Sequence, residues 1–146
     1  MTTPVPPVNG QAIGLAHYAS RAALERVLAR SGTTFEQSVA LRAVSDNGGT
    51  VARGRVVGRL TGGLKIEESA ARRTVEEMTA RGLLVEPTPE QVSLTDSGRE
   101  LFESIRTAGD AIAARVYGGI PAEDLATAGR VLALVTERAN AELADA

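Results

Sequence analysis

Two adjacent arginines, Arg72 and Arg73, and a nearby serine, Ser69, are the residues of this chain best suited to recognition chemistry. A guanidinium presents a planar fork of donors that matches phosphate or the major-groove edge of guanine, and a hydroxyl serves either partner. All three lie in the stretch from Ile66 to Gly82, IEESAARRTVEEMTARG, whose spacing predicts a helix. Ala70, Ala71, Val75, Met78 and Thr79 recur at three- and four-residue intervals and form a side able to pack on a small core. Ser69, Arg72, Arg73 and Glu76 project elsewhere. Glu67 and Glu68 stand at the start, where acids suit the positive end of the helix dipole, and Arg81-Gly82 supplies a left-handed stop. Arginines early in such a helix are where a recognition helix touches bases. A solvated amphipathic helix, its arginines paired with glutamates one turn away, accounts for the same residues, so the neighbouring segments must decide.

Those neighbours supply a scaffold. Residues 11 to 30 read as a helix with Leu15, Ala19, Ala22, Ala23, Val27 and Leu28 towards one side, ended by Ser31-Gly32. Thr34 with Gln37 has the spacing of a capping box and opens a second helix through Val39, Leu41 and Val44. Asp46-Asn47-Gly48-Gly49 stops it, and Thr50-Val51-Ala52 has the length of a very short strand. A third helix, about 54 to 64, turns Val56, Val57, Leu60 and Leu64 inward. Only Lys65-Ile66 separates it from the arginine-bearing element, which is a helix-turn-helix arrangement. Two short apolar runs, 83 to 86 and 91 to 94, flank Pro87-Thr-Pro-Glu90 and predict a hairpin that must lie against the helices. A long helix follows from Thr95-Asp96-Ser97-Gly98, with Leu101, Phe102, Ile105, Ala108, Ile112 and Val116 inward. Pro121, at a first helical position, begins the last helix, striped by Leu125, Ala128, Leu132, Val135, Ala139 and Leu143.

Composition excludes more than it asserts. The 146 residues fit one domain with an appended helical element, and aromatics at 3% leave alanine, valine and leucine to fill the core. Without cysteine there is no disulfide, thiolate catalysis or cysteine-ligated metal, and the single histidine, His17, makes a histidine-rich metal site in one chain untenable. No nucleophile–histidine pair or paired-carboxylate set can be assembled, so an enzyme is not expected, nor is a cofactor. Gly58 to Lys65 superficially resembles a phosphate loop but fails, because no serine or threonine follows the lysine. No run of about 18 apolar residues predicts a membrane span, and the proline-rich start, 1 to 10, reads as a flexible arm rather than a signal peptide. A cytoplasmic location is the expectation. Net charge is −2, yet residues 53 to 73 hold six cations against two carboxylates, a local balance of +4 within an otherwise acidic chain. A basic centre in an acidic frame suits a localised phosphate-binding surface.

The order of elements and two runs, IEESAARRTVEEMTARGLLV (Ile66 to Val85) and VSLTDSGREL (Val92 to Leu101), resemble the MarR family of winged helix-turn-helix regulators. The resemblance covers roughly residues 12 to 143. It implies a mainly α fold with a small β-hairpin (α+β), a winged helix-turn-helix lobe at 33 to 96, and a helical dimerisation region formed by 11 to 32 and 97 to 146. It implies a transcriptional regulator, a repressor or an activator with repression the expectation: a homodimer bound to a palindromic operator on double-stranded DNA, often released by a small-molecule effector. Two recognition helices would then lie about 34 Å apart, one turn of duplex. Carried over by position, Ser69, Arg72 and Arg73 contact bases or phosphates, with Arg55, Arg59 and Lys65 as backbone contacts. An effector crevice would be lined by His17, Tyr18 and Tyr117.

Two departures stand out. No basic residue lies between Glu86 and Asp96, where the family's wing carries an arginine for the minor groove. Gly62-Gly63 sit late in the third helix, each costing about 1 kcal/mol relative to alanine. With so acidic a wing, a binding module of this fold that works through a protein or ligand is the alternative reading.

Overall fold

The computed structural model describes residues 4 to 144; the start of the predicted arm (1 to 3) and the last two residues of the predicted dimerisation region (145 and 146) lie outside the described residues. Helix α1, Gly10–Leu28, is capped by Asn9, whose side chain accepts from the Ala12 N–H at 2.8 Å. A 3-10 turn, Ala29–Ser31, and the left-handed Gly32 end it. Helix α2, Phe35–Asp46, starts with both arms of the expected capping box: Gln37 N donates to Thr34 Oγ1 at 3.1 Å and Thr34 N to Gln37 Oε1 at 3.3 Å. Strand β1 (Thr50–Ala52) leads directly into α3 (Arg53–Leu64), then α4 (Glu68–Ala80), β2 (Leu84–Val85), β3 (Gln91–Leu94), α5 (Asp96–Tyr117) and α6 (Ala122–Ala144).

The predicted hairpin supplies two strands of a three-stranded element. Strand β1 adds to it, giving an antiparallel sheet of order β1-β3-β2 with Val51 opposite Val92 and Leu84 opposite Leu94. A two-stranded hairpin is marginal in water. Here a third strand and the helices beneath secure it. Alternation along β3 buries Val92 and Leu94, so the sheet's inner face joins the core.

That core is built from small apolar side chains, as the composition requires. Leu41, Val44, Val56, Leu60, Val75, Met78 and Val92 are fully buried, and Phe102 of α5 is the aromatic that closes it. Gly98, in the first turn of α5, is buried where a Cβ would strike the Leu83 carbonyl oxygen and crowd Leu94. Only glycine lets α5 leave the sheet this closely.

The chain divides into two compact units, with the boundary between Ile112 and Ala113. In the first, α1 differs from its predicted stripe: Leu28 is buried, Ala23 and Val27 are half-buried, and Leu15, Ala19 and Ala22 are exposed. The core of α2, α3, α4 and the sheet takes only the C-terminal end of α1, where Leu28 is its one buried residue. The second unit comprises the end of α5 and all of α6, where none of the described residues is buried. Its predicted stripe is formed as expected, yet Leu125, Leu132, Val135 and Leu143 all lie open. Pro121 stands just before α6 rather than inside it, its carbonyl accepting the first helical bond from Leu125 N at 3.1 Å.

Candidate nucleic-acid interface

Three residues, Lys65 to Glu67, separate α3 from α4. Lys65 makes the turn in the left-handed region (φ 60°), its N–H closing on the Thr61 carbonyl at 3.1 Å. It is the one non-glycine residue with positive φ among the described residues, and such a backbone costs roughly 1–2 kcal/mol for a side chain with a Cβ. The two glycines nearby, Gly62 and Gly63, remain helical instead. Lys65 Nζ folds back to donate to the Gly62 carbonyl, one of the backbone acceptors freed by the helix end.

Helix α4 buries Ala71, Thr74, Val75 and Met78. Thr74 is the residue the hydrophobic pattern passed over. Its hydroxyl donates to the Ala70 carbonyl at 3.0 Å, which satisfies the polar group within the helix and leaves the methyl to pack. Thr79, expected inward, is half-buried with its hydroxyl on the Val75 carbonyl. On the opposite side Ser69, Arg72, Arg73 and Glu76 are all exposed.

The cations differ in what holds them. Arg72 donates to Glu68 Oε1 at 2.6 and 3.2 Å, the one-turn pair that an amphipathic surface helix would form. Arg73 makes no hydrogen bond or ion pair among the described residues, so its guanidinium is available. Arg55 donates to Asn47 Oδ1 at 3.0 Å, and Arg59 pairs with Asp46 at 3.2 Å. Both therefore lean to the end of α2. Gly54, Val57, Gly58 and Thr61 of α3 instead line an open cleft of about 410 Å3 with Ile66, Glu67, Glu68 and Arg72. The structure thus keeps Ser69, Arg72 and Arg73 exposed on one side of α4, with Arg72 bordering the cleft, and turns Arg55 and Arg59 towards the end of α2.

Sequence reasoning missed the anchor of α4. Gly82 takes the expected left-handed stop (φ 74°), but Arg81 before it is a strut. Its Nη1 donates to Gln37 Oε1 at 2.8 Å and its Nη2 to the Ser31 carbonyl at 2.8 Å, while Gln37 Nε2 donates to Glu77 Oε2 at 3.1 Å. Gln37 is buried, so these bonds fix the C-terminal end of α4 to the junction of α1 and α2. The capping-box spacing marked Gln37 as an N-cap partner; nothing local could pair it with residues 40 and 44 positions away.

His17, Tyr18 and Tyr117 are exposed. His17 packs edge-on to Phe35 at 6.4 Å between ring centroids, and Arg21 lies over the same ring at 4.2 Å. Tyr117 belongs to the second unit. A second depression, about 230 Å3, is lined by Ser45, Gly48, Gly49, Leu94, Arg99, Phe102 and Glu103, and none of the three predicted crevice residues borders either hollow. Among the described residues no cluster of three or more His, Asp or Glu side chains is placed to hold a metal ion, and no helix is long and apolar enough to cross a membrane.

No family model and no curated protein matches the chain. Solved structures do. BpsR of Bordetella bronchiseptica, whose DNA binding is regulated by 6-hydroxynicotinic acid, superposes with a TM-score of 0.70 at 23% identity, over 90% of this chain and 99% of its own. A MarR-family transcriptional regulator from Rhodococcus sp. RHA1 gives 0.69 at 19%, over 90% and 96%. CouR from Rhodococcus jostii RHA1, solved with p-coumaroyl-CoA, gives 0.73 at 20%, over 87% and 90%. The fold is the MarR-type winged helix. In the terms of that MarR-type fold, α3 and α4 are the helix-turn-helix and β2 and β3 are the wing.

Proposed function

We propose that this chain is a DNA-binding transcriptional regulator, not an enzyme, and that it represses by holding a palindromic operator as a homodimer. One observation carries the reading: the recognition helix of a MarR-type fold leaves Ser69, Arg72 and Arg73 exposed together, with Arg73 making no bond among the described residues. In this reading Arg73 is the base-reading residue. Arg72 exchanges Glu68 for DNA, since an exposed i,i+4 pair of this kind is worth only a few tenths of a kcal/mol. Ser69 and Lys65 add phosphate contacts, and Arg55 and Arg59 extend the basic surface along α3.

The homodimer is supported by apolar surface. Val131, Leu132, Leu134 and Val135 of α6 are each about 40% exposed and Leu15 of α1 61%, more apolar surface than a monomer usually leaves in water. Dimerisation through 11 to 32 and 97 to 146 would cover it, leaving 33 to 96 as the lobe that meets DNA. A small-molecule effector is proposed by analogy with BpsR and CouR, with His17, Tyr18 and Tyr117 as candidates to line its site once two chains meet. A cytoplasmic location fits a protein that works on DNA.

Selection of bound fragments from genomic DNA by the purified protein tests binding, symmetry and half-site spacing together. The expected result is an inverted repeat with half-sites one helical turn apart. Recovery of no enriched sequence, with no salt-dependent shift on any duplex, would remove the regulatory reading. The acidic wing then favours the alternative, a module of the same fold acting through a protein or ligand.

A further inference from the structure

Arg53 opens α3, yet it is turned towards the wing. Its guanidinium is ion-paired with Glu86 just after β2, and its backbone N–H donates to the Glu90 carbonyl at 2.8 Å across the wing's tip. Its side chain is 23% exposed, against 41% for Arg59 and 55% for Arg72, and its Nε is buried without a hydrogen bond. The Arg59–Asp46 and Arg72–Glu68 pairs sit in water, where such pairs are weak and a phosphate can replace the carboxylate. Arg53 is more shielded, and a phosphate would have to displace the Glu86 carboxylate to pair with it.

We propose that Glu86 is a built-in competitor of DNA phosphate for Arg53, withholding one cation from the DNA-binding surface and keeping the acidic wing against α3. The inference rests on the DNA-binding reading above. It accounts for a wing that lacks a basic residue: the nearest cation is present in the fold but is committed to the wing's own acid. Removing that acid should turn Arg53 into a phosphate contact.

The test uses the full chain on a duplex recovered by the genomic selection, with affinity measured from 50 to 200 mM KCl. Each phosphate newly neutralised adds about 0.9 to the slope of log affinity on log salt. Glu86→Gln should bind more tightly at low salt and steepen the slope by that amount, an additional fall of about threefold in affinity across the range. Arg53→Ala alone should leave the slope as it is, and Arg53→Ala combined with Glu86→Gln should restore it. Glu86→Ser repeats the test if the glutamine variant does not stay folded. Salt-dependent binding by the unaltered chain with the same slope in Glu86→Gln overturns the role of Glu86 alone, as does a slope reduced by Arg53→Ala alone. Failure of both the unaltered chain and Glu86→Gln to bind any duplex overturns this inference together with the DNA reading beneath it.

Discussion

Helices α4 and α6 are both amphipathic, and they end in opposite circumstances. The centre of the apolar side of α4 is covered: Ala71, Val75 and Met78 have no exposed surface, and Arg81 ties its far end to Gln37 and Ser31. What it leaves open is charged. Helix α6 buries nothing, and what it leaves open is a stripe of leucine and valine. A charged face held rigidly from behind suits a polyanion, because the fold has already fixed the backbone that presents it. An apolar face left in water suits another protein surface.

The comparison breaks first at Met78. It is fully buried in α4, and Met78→Ala should cost about 2–5 kcal/mol of unfolding free energy, measured by urea denaturation. A cost near zero would mean that α4 is not held from behind. Next comes Leu132→Glu in α6. If that stripe is a dimer interface, a charge within it should raise the dimer dissociation constant by about 2 kcal/mol or more, at least thirtyfold, while the chain stays folded. Sedimentation equilibrium reads the change in mass, and an unchanged mass with lowered stability would place the stripe inside a single subunit instead.

Arg73→Ala sharpens the charged half of the comparison. Loss of a bidentate base contact should cost about 1–3 kcal/mol on the selected operator and less on a scrambled duplex, without a change in melting temperature. Equal losses on both duplexes would make Arg73 a phosphate contact. The smallest effect is a gain. Lys65→Gly relieves the left-handed turn residue and should stabilise the fold by up to about 1 kcal/mol, read by thermal unfolding, at some loss of DNA affinity if the lysine meets phosphate.

Much of this architecture was legible along the chain because its signals are local. The Thr34–Gln37 capping box, the Gly48-Gly49 stop, the Gly82 cap and the spacing of Val75 and Met78 each depend on residues within a turn or two of one another. The exposure of Ser69, Arg72 and Arg73 followed from the same helical period. Other features needed contacts from far away. Strand β1 is three residues long and has meaning only beside β3, 43 positions later. The buried place of Thr74 depended on its hydroxyl finding a backbone carbonyl, an outcome that side-chain polarity does not report.

By itself, then, the sequence determined the number and type of the helices, their limits to within a residue or two, the wing, and the polar identity of the exposed side of α4, since periodicity and capping act over a few residues. Beyond the one-turn Arg72–Glu68 pair, tertiary structure decided which cations stay available. Arg59, Arg53 and Arg81 are equivalent as letters, but folding gives them Asp46, Glu86 and Gln37 as partners, 13, 33 and 44 residues distant. Charge acts through space, and a partner's distance along the chain says nothing about its distance in the fold.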